Sequence, residues 1–208
     1  MTIPHWLNWA RKIQAISQIG LTFAENIYDR ERYEKLQELA HEIFATETGM
    51  SDSVVKSWFT AQSGYATPKV DVRGACFHDD KILLVRERAD NGWCLPGGWA
   101  DVGDVPSIAV EREVFEEAGY VCKANKIVGI FDANRHGTPL SAYHAYKLII
   151  LCNLIGGEGK HNHETSAVGF FSRAEINTLP LSTPRSSLDQ LQICFEHHTQ
   201  PQLPSQFD

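Results

Sequence analysis

Three glutamates, Glu113, Glu116 and Glu117, stand at i, i+3 and i+4 within the stretch VEREVFEEAGY. If that stretch is helical, their carboxylates project from one face. Three anions so placed repel one another, and Arg112 can neutralise only part of the cluster. A hard divalent cation such as Mg²⁺ takes oxygen ligands, relieves the repulsion and keeps positions open for phosphate oxygens. Taken alone, such a trio reads more simply as a solvated acidic face. Its surroundings favour the metal: a Gly97-Gly98 pair follows the run Trp93-Cys94-Leu95-Pro96, and Gly119 stands where a helix would stop.

The elements that must hold these groups follow from periodicity. A helix is predicted from Val105 to Ala118, with Asp104 as its N-terminal cap and Pro106 in its first turn. Strands are predicted at 70–78 and 81–88, joined by an Asp79-Asp80 turn, and again at 120–134, 143–155 and 167–171. A last helix spans Ser187 to His197. Strands flanking helices without regular βαβ alternation imply a mixed α/β or α+β sandwich. Residues 1–62 show only helical spacing: Trp6 to Ile19, stopped by Gly20, then Tyr33 to Phe44, stopped by Gly49, then a helix opened by Ser51. The expected organisation is a three-helix domain at 1–62, a linker at 63–69 containing Gly64 and Pro68, and a sheet domain at 70–208. The apolar stripe of Trp6, Leu36, Leu39, Ile43, Phe44 and Trp58 exceeds what three short helices can bury. It marks a dimerisation or cap element, with docking on the sheet domain as the alternative.

The stretch from Gly98 to Tyr120 resembles the signature box of the Nudix hydrolases: Gly98, Asp104, Arg112-Glu113-Val114, Glu116-Glu117, Gly119 and Tyr120 occupy its fixed positions. Asp104 departs from the family's Glu, and Tyr120 from its aliphatic residue. The resemblance, over about residues 68–198, implies an α/β class fold, the Nudix α/β/α sandwich with a mixed sheet, preceded here by a small all-α domain. It also implies Mg²⁺, replaceable by Mn²⁺, held by the Gly97 carbonyl and by Glu113, Glu116 and Glu117. Such ions withdraw charge from a pyrophosphate and lower the pKa of a bound water. Family members often take a further acid from a loop beyond the box, and Glu164, within His161-Asn162-His163-Glu164, is the candidate general base. Arg112 reads as an orienter of Glu116, and Asp104 as chiefly structural. The two loop histidines read as solvated.

With its N-terminal helices, the chain resembles a bacterial subgroup of ADP-ribose and CDP-choline pyrophosphatases. That implies hydrolysis of a nucleoside diphosphate linked to X: ADP-ribose to AMP and ribose 5-phosphate first, CDP-choline to CMP and phosphocholine second. The partner is then a nucleotide-sugar or nucleotide-alcohol. Candidate substrate contacts are Arg73, Arg86 and Arg88 for phosphate, although ion pairs with Glu87 or Asp90 would explain the arginines equally well. Trp99, Phe131, Asp132, Arg135, His136 and Tyr146 are candidates for stacking or polar readout.

Composition excludes several classes. The 208 residues are 43% hydrophobic and 22% charged, with a net charge of −7. That is a globular profile without a bilayer-spanning run, and it disfavours nucleic acid as a partner. A cytoplasmic homodimer is expected. The five cysteines, Cys76, Cys94, Cys122, Cys152 and Cys194, form no CxxC pair and read as reduced core thiols, with zinc or a disulfide as the minor alternative. A non-catalytic nucleotide sensor should lose box carboxylates, and an adaptor would not need their geometry. This chain keeps all three.

Overall fold

A computed structural model describes residues 4–60, 62–136 and 143–208. The chain forms two compact units. The first holds the described residues up to Pro68 with Tyr143 and His144, and the second holds the described residues of 69–136 and 145–208.

The first unit is helical: α1 (His5–Phe23), α2 (Ile27–Thr48) and α3 (Asp52–Thr60). Asn26 caps α2 by accepting the Asp29 N–H, and Gly49 ends it at φ 68°. Gly20, a predicted stop, instead lies inside α1. A Cβ there would sit 2.3 Å from the Tyr33 ring, so glycine serves close approach of α1 to α2 rather than termination. The core consists of Leu7, Ala10, Phe44, Val55 and Phe59, with Trp6, Ile43 and Trp58 packed against it. Phe44 meets Trp6 edge-on at 5.8 Å and Phe59 at 5.2 Å. Tyr143 joins this unit, its hydroxyl donating to the Trp58 carbonyl while its own carbonyl accepts from Arg11. Of the expected stripe, Phe44 is buried, Trp6, Leu36, Ile43 and Trp58 are half-buried, and Leu39 is exposed. Further exposed apolar residues include Trp9, Ile16 and Phe23, which repeat every seven positions along the outer side of α1. The inner side of α1 carries Leu7 and Ala10 together with the polar Gln14, Ser17 and Gln18, so apolar spacing marks the helix but only part of its buried face.

The second unit is built on β1 (Lys69–His78), β2 (Lys81–Glu87), β3 (Trp93–Cys94), β4 (Tyr120–Asp132), β5 (Ala145–Gly157), β6 (Thr165–Phe171) and β7 (Gln206–Phe207). The sheet order is β3-β2-β1-β5-β4-β7, with β6 paired to β2. β1 and β5 run parallel, whereas β1–β2 and β4–β5 are antiparallel, so the sheet is mixed. Asp79 and Asp80 close the β1–β2 hairpin in left-handed conformations at φ 47° and 57°. Side chains alternate between two cores. Leu83, Val85, Ile150 and Cys152 join Val110, Val114 and Ala118 of α4 (Pro106–Ala118). Ile82, Leu84, Ile149 and Leu151 join Leu191, Cys194 and Phe195 of α5 (Leu188–Thr199). This is the expected α/β/α sandwich. Arg88 falls beyond β2, where a register shift follows Arg86. The two-residue β7, parallel to β4, is too short to leave a period in the sequence. No described helix is long and apolar enough to cross a membrane.

Phe44→Ala should cost the helical unit about 3–5 kcal/mol through the cavity it leaves. The check is the urea midpoint of the full chain followed by Trp6 and Trp58 fluorescence, and an unchanged midpoint would contradict the core assignment.

Candidate active site

The site begins where residues 96–100 lie along β1. Val72 N–H donates to the Gly98 carbonyl at 2.8 Å, Gly74 N–H to Pro96 at 2.9 Å, and Ala100 N–H to Val70 at 2.9 Å. At Gly97, φ is 145° and a Cβ would lie 2.0 Å from the Val72 carbonyl oxygen, so only glycine fits. The Gly97 N–H donates to Glu117 Oε2 at 2.9 Å. A Cβ on Gly98 would come within 3.0 Å of Glu113 Oε2, which places that carboxylate directly over the loop. α4 opens with Pro106 and closes at Gly119, φ 75°, so its last turns bring Glu113, Glu116 and Glu117 to the loop.

The three carboxylates differ in environment. Glu117 is only 5% exposed. Burial pushes its pKa up to about 7, with Glu87 and Glu113 adding to the rise, while Arg73 and the Gly97 hydrogen bond oppose it. Burial also raises the Glu113 pKa, and Glu116 and Glu164 raise it further against Arg112. The Glu116 side chain is 53% exposed. Arg112 reaches Glu113 at 2.9 Å, Glu116 at 3.5 Å and Asp104 at 3.0 Å, so it spans the acidic face. Asp104 is not the helix cap: residue Val105 holds that position without a side-chain bond. The Asp104 carboxylate instead accepts from Asp101 N–H and Arg112, tying the loop to the middle of α4.

Glu164 lies in a turn that Asn162 holds by accepting from the Glu164 and Thr165 N–H groups. Thr165 Oγ1 donates to the Glu117 carbonyl at 3.0 Å, which pins this turn to α4. The Glu164 carboxylate is exposed, lies 3.3 Å from His163, and acts electrostatically on Glu113. His161 is exposed as well.

The substrate candidates divide. Arg73 is buried, paired with Asp71 at 2.9 Å and donating to the Leu95 carbonyl at 3.1 Å. It is an internal charge beneath Glu117, and the expectation of a phosphate contact is corrected. Phe131 belongs to the buried core beneath α5, so it cannot stack on a ligand. Arg86 donates to the Asn91 carbonyl, and Arg88 is exposed with its N–H on the Glu164 carbonyl. Glu87 and Asp90 pair with Arg185 rather than with either arginine. His136 and the Asp132 N–H both bind the Asp208 carboxylate, and Arg135 is exposed. Tyr146 stands in register with Val70 and Asp132, half-exposed, at the end of β1 where Trp99 bridges Asp71.

A NUDIX domain profile matches residues 68–191, more than half of the chain. The chain belongs to the Nudix hydrolase family. A second profile, described as a UDP-X-like N-terminal oligomerisation domain, matches residues 4–59. The putative ADP-ribose pyrophosphatase YjhB of Bacillus subtilis is 38% identical over 203 residues, covering 98% of this chain and 97% of that protein. The crystal structure of an ADP-ribose pyrophosphatase from Streptococcus suis shares 41% identity at a TM-score of 0.62, over 68% of this chain and 100% of that one. That of a UDP-X diphosphatase shares 31% identity at a TM-score of 0.61, over 100% of this chain and 99% of that one.

Within this Nudix domain, Lys147, which follows Tyr146 on the same strand and reads with it as a candidate ligand contact, is instead a long-range internal support. Lys147 is fully buried, donates to the Pro184 and Arg185 carbonyls, and lies 4.0 Å from Asp71. Burial lowers its pKa to about 8. Asp71 and Lys147 face each other across β1 and β5, a pairing visible only once the register is known.

Because the Glu117 pKa rises from 4.5 to about 7 on folding, ionising it opposes folding. The neutral acid's stabilisation is complete below pH 4.5 and is lost as pH rises through 7. Glu117→Gln keeps the Gly97 hydrogen bond and removes the charge. In metal-free protein it should therefore add roughly 3 kcal/mol near pH 8 and almost nothing near pH 4. Denaturant unfolding at both pH values checks this; equal gains at the two would refute the buried-charge origin.

Proposed function

We propose that this Nudix hydrolase requires Mg²⁺, which Mn²⁺ can replace, and cleaves a nucleoside diphosphate linked to X, with ADP-ribose to AMP and ribose 5-phosphate as the leading reaction. The observation that carries the metal is the buried Glu117 carboxylate, anchored by Gly97 N–H next to Glu113 and Glu116. All donors are oxygens, and the nearby arginines leave negative charge in excess, which fits a hard divalent ion. Glu113, Glu116, Glu117 and the Gly97 carbonyl would hold it; the β1 hydrogen bonds use the Pro96 and Gly98 carbonyls instead. Bound there, the ion supplies charge withdrawal from the diphosphate and an acidified water. Arg112 keeps Glu113 and Glu116 apart from each other's charge, and Glu164 takes the proton of the attacking water.

The preference for ADP-ribose rests on the B. subtilis and S. suis relatives. The full-length likeness to a UDP-X diphosphatase supports a UDP-linked sugar as the second reading, ahead of CDP-choline. Trp99 and Tyr146, half-exposed at one end of the sheet, are the aromatic groups available to a base or sugar. A non-catalytic sensor is disfavoured by the retained carboxylates.

Glu116→Gln should abolish turnover, and Glu164→Gln should lower kcat by about 10²-fold or more, the usual contribution of a general base. Near-native rates in either variant would remove that residue from its role. Wild-type kcat/KM for ADP-ribose, UDP-glucose, CDP-choline, NADH and a nucleoside triphosphate, with Mg²⁺ or Mn²⁺, ranks the substrates. Preference for UDP-glucose or CDP-choline overturns the ADP-ribose assignment, and hydrolysis of none revives the sensor.

The helical unit is further proposed to join two copies through the Trp9, Ile16 and Phe23 line of α1, supported by the oligomerisation profile over residues 4–59 and by that exposed apolar face. Light scattering should give a dimer for the native chain and a monomer for Ile16→Lys/Phe23→Lys. A dimer that survives in a variant with an unchanged helical circular dichroism spectrum overturns this assignment.

A further inference from the structure

Three of the five cysteines converge inside the sheet domain, in the core beneath α4. Cys76 of β1 and Cys152 of β5 are in-register neighbours across the parallel pair. Cys122 of β4 is paired with Leu154, two residues from Cys152, and so lies diagonally beside it on the same sheet face. The three sulfurs lie within 4.8 Å of one another, and all three residues are at most 3% exposed. They belong to one apolar cluster with Val114 and Ala118 of α4. Cys94 shares that cluster but pairs with Val85 of β2, and its thiol is directed at Glu87.

Sulfur donors select soft ions and reject the hard cations suited to the carboxylate site. An ion bonded at about 2.3 Å to three sulfurs needs them roughly 3.5–4 Å apart, within reach of small side-chain rotations. The apolar wall limits the complex to three ligands and penalises any net charge left inside it. Three thiolates carry −3, so Cu(I) would leave −2 and Zn²⁺ would leave −1, whereas a trivalent ion leaves none. The three thiols also share hydrogen bonds, which pull the Cys122 pKa down and push that of Cys76 up.

We propose that Cys76, Cys122 and Cys152 form a buried three-sulfur site for trivalent arsenic, taken up as arsenous acid. The exchange is As(OH)₃ + 3 RSH → As(SR)₃ + 3 H₂O. Three As–O and three S–H bonds break, and three As–S and three O–H bonds form. Each thiol proton leaves in a water, and arsenic stays in its trivalent state, so no oxidant or reductant is needed.

Full-length protein incubated with arsenite should show, in native mass spectrometry, one added arsenic with the loss of three hydrogens. Its Tm should rise with arsenite concentration, since the ligand binds the folded site. Single Cys76→Ala, Cys122→Ala and Cys152→Ala variants should bind at least tenfold more weakly, while Cys94→Ala and Cys194→Ala should bind as the native chain does. No adduct, an adduct that lost only two hydrogens, native affinity in any of the three variants, or a loss in Cys94→Ala would each overturn the site. Preferential binding of Zn²⁺ or Cu(I) in competition would overturn the charge argument on which arsenic rests. The hydrogen count is read on the native chain, so it decides the matter even if a core variant fails to fold.

Discussion

Between β1 and α4 there is room for a backbone without a side chain, and Gly97 fills it. Its positive φ and the 2.0 Å gap that a Cβ would meet at the Val72 carbonyl let the chain lie flat on β1 while its N–H turns to Glu117. The remaining parts of the site are referenced to that hydrogen bond. The loop is zipped to β1 on either side of it, α4 is held with its acidic turns over the loop, and Thr165 fastens the Glu164 turn to the carbonyl of the same Glu117. A carboxylate so buried would be unstable as an anion without Arg73 beneath it, and Arg73 in turn needs Asp71 and the Leu95 carbonyl to be satisfied. The geometry of the site is the exposed end of a chain of buried polar partners.

Electrostatics in the site are deliberately unbalanced. Arg112 serves three carboxylates, and Arg73 shares its charge with Asp71, so Glu113 and Glu117 keep raised pKa values in the metal-free protein. The surplus opposes ionisation of the buried acids, and a divalent ion held there, as proposed, would replace the protons that burial retains. Asp104 illustrates how a shorter acid adapts. One methylene less than the family's glutamate, it turns toward Asp101 and Arg112 and helps set the orientation of the acidic face.

The two sheet faces have diverged in use. Beneath α5 the core is aromatic and aliphatic, with Phe131 and Phe195 at its centre. Beneath α4 four cysteines stand among valines and alanines with Leu83 and Ile150, and the last turns of α4 carry the carboxylates. Small residues let α4 sit close to the strands, as the Gly74 position shows: a Cβ there would press to 2.4 Å against Val114. Close seating keeps the glutamates within reach of the loop, and it gathers the cysteines of three strands into one space.

Local patterns made much of this protein legible from its amino acids. The i, i+3, i+4 glutamates, the glycine pair, the Asp79-Asp80 turn and the Gly119 stop each depend on neighbours within a few positions, and the sandwich followed from the resemblance these residues carry. Asp104 and Gly20 take other roles than the expected ones, because a cap, a stop and a close approach use the same residue types and differ only in what lies across the gap. Arg73 and Phe131 look like ligands in a strand sequence, yet burial is set by α4, α5 and the loop that close over the sheet. The Asp71–Lys147 pairing and the meeting of Cys76, Cys122 and Cys152 arise from strand register, which joins residues dozens of positions apart. Short-range pattern set which chemistry was available and in which helix it resides. Tertiary structure alone decided which charges are buried and which are offered to a substrate, because desolvation depends on the whole enclosure around a group and not on its neighbours in the chain.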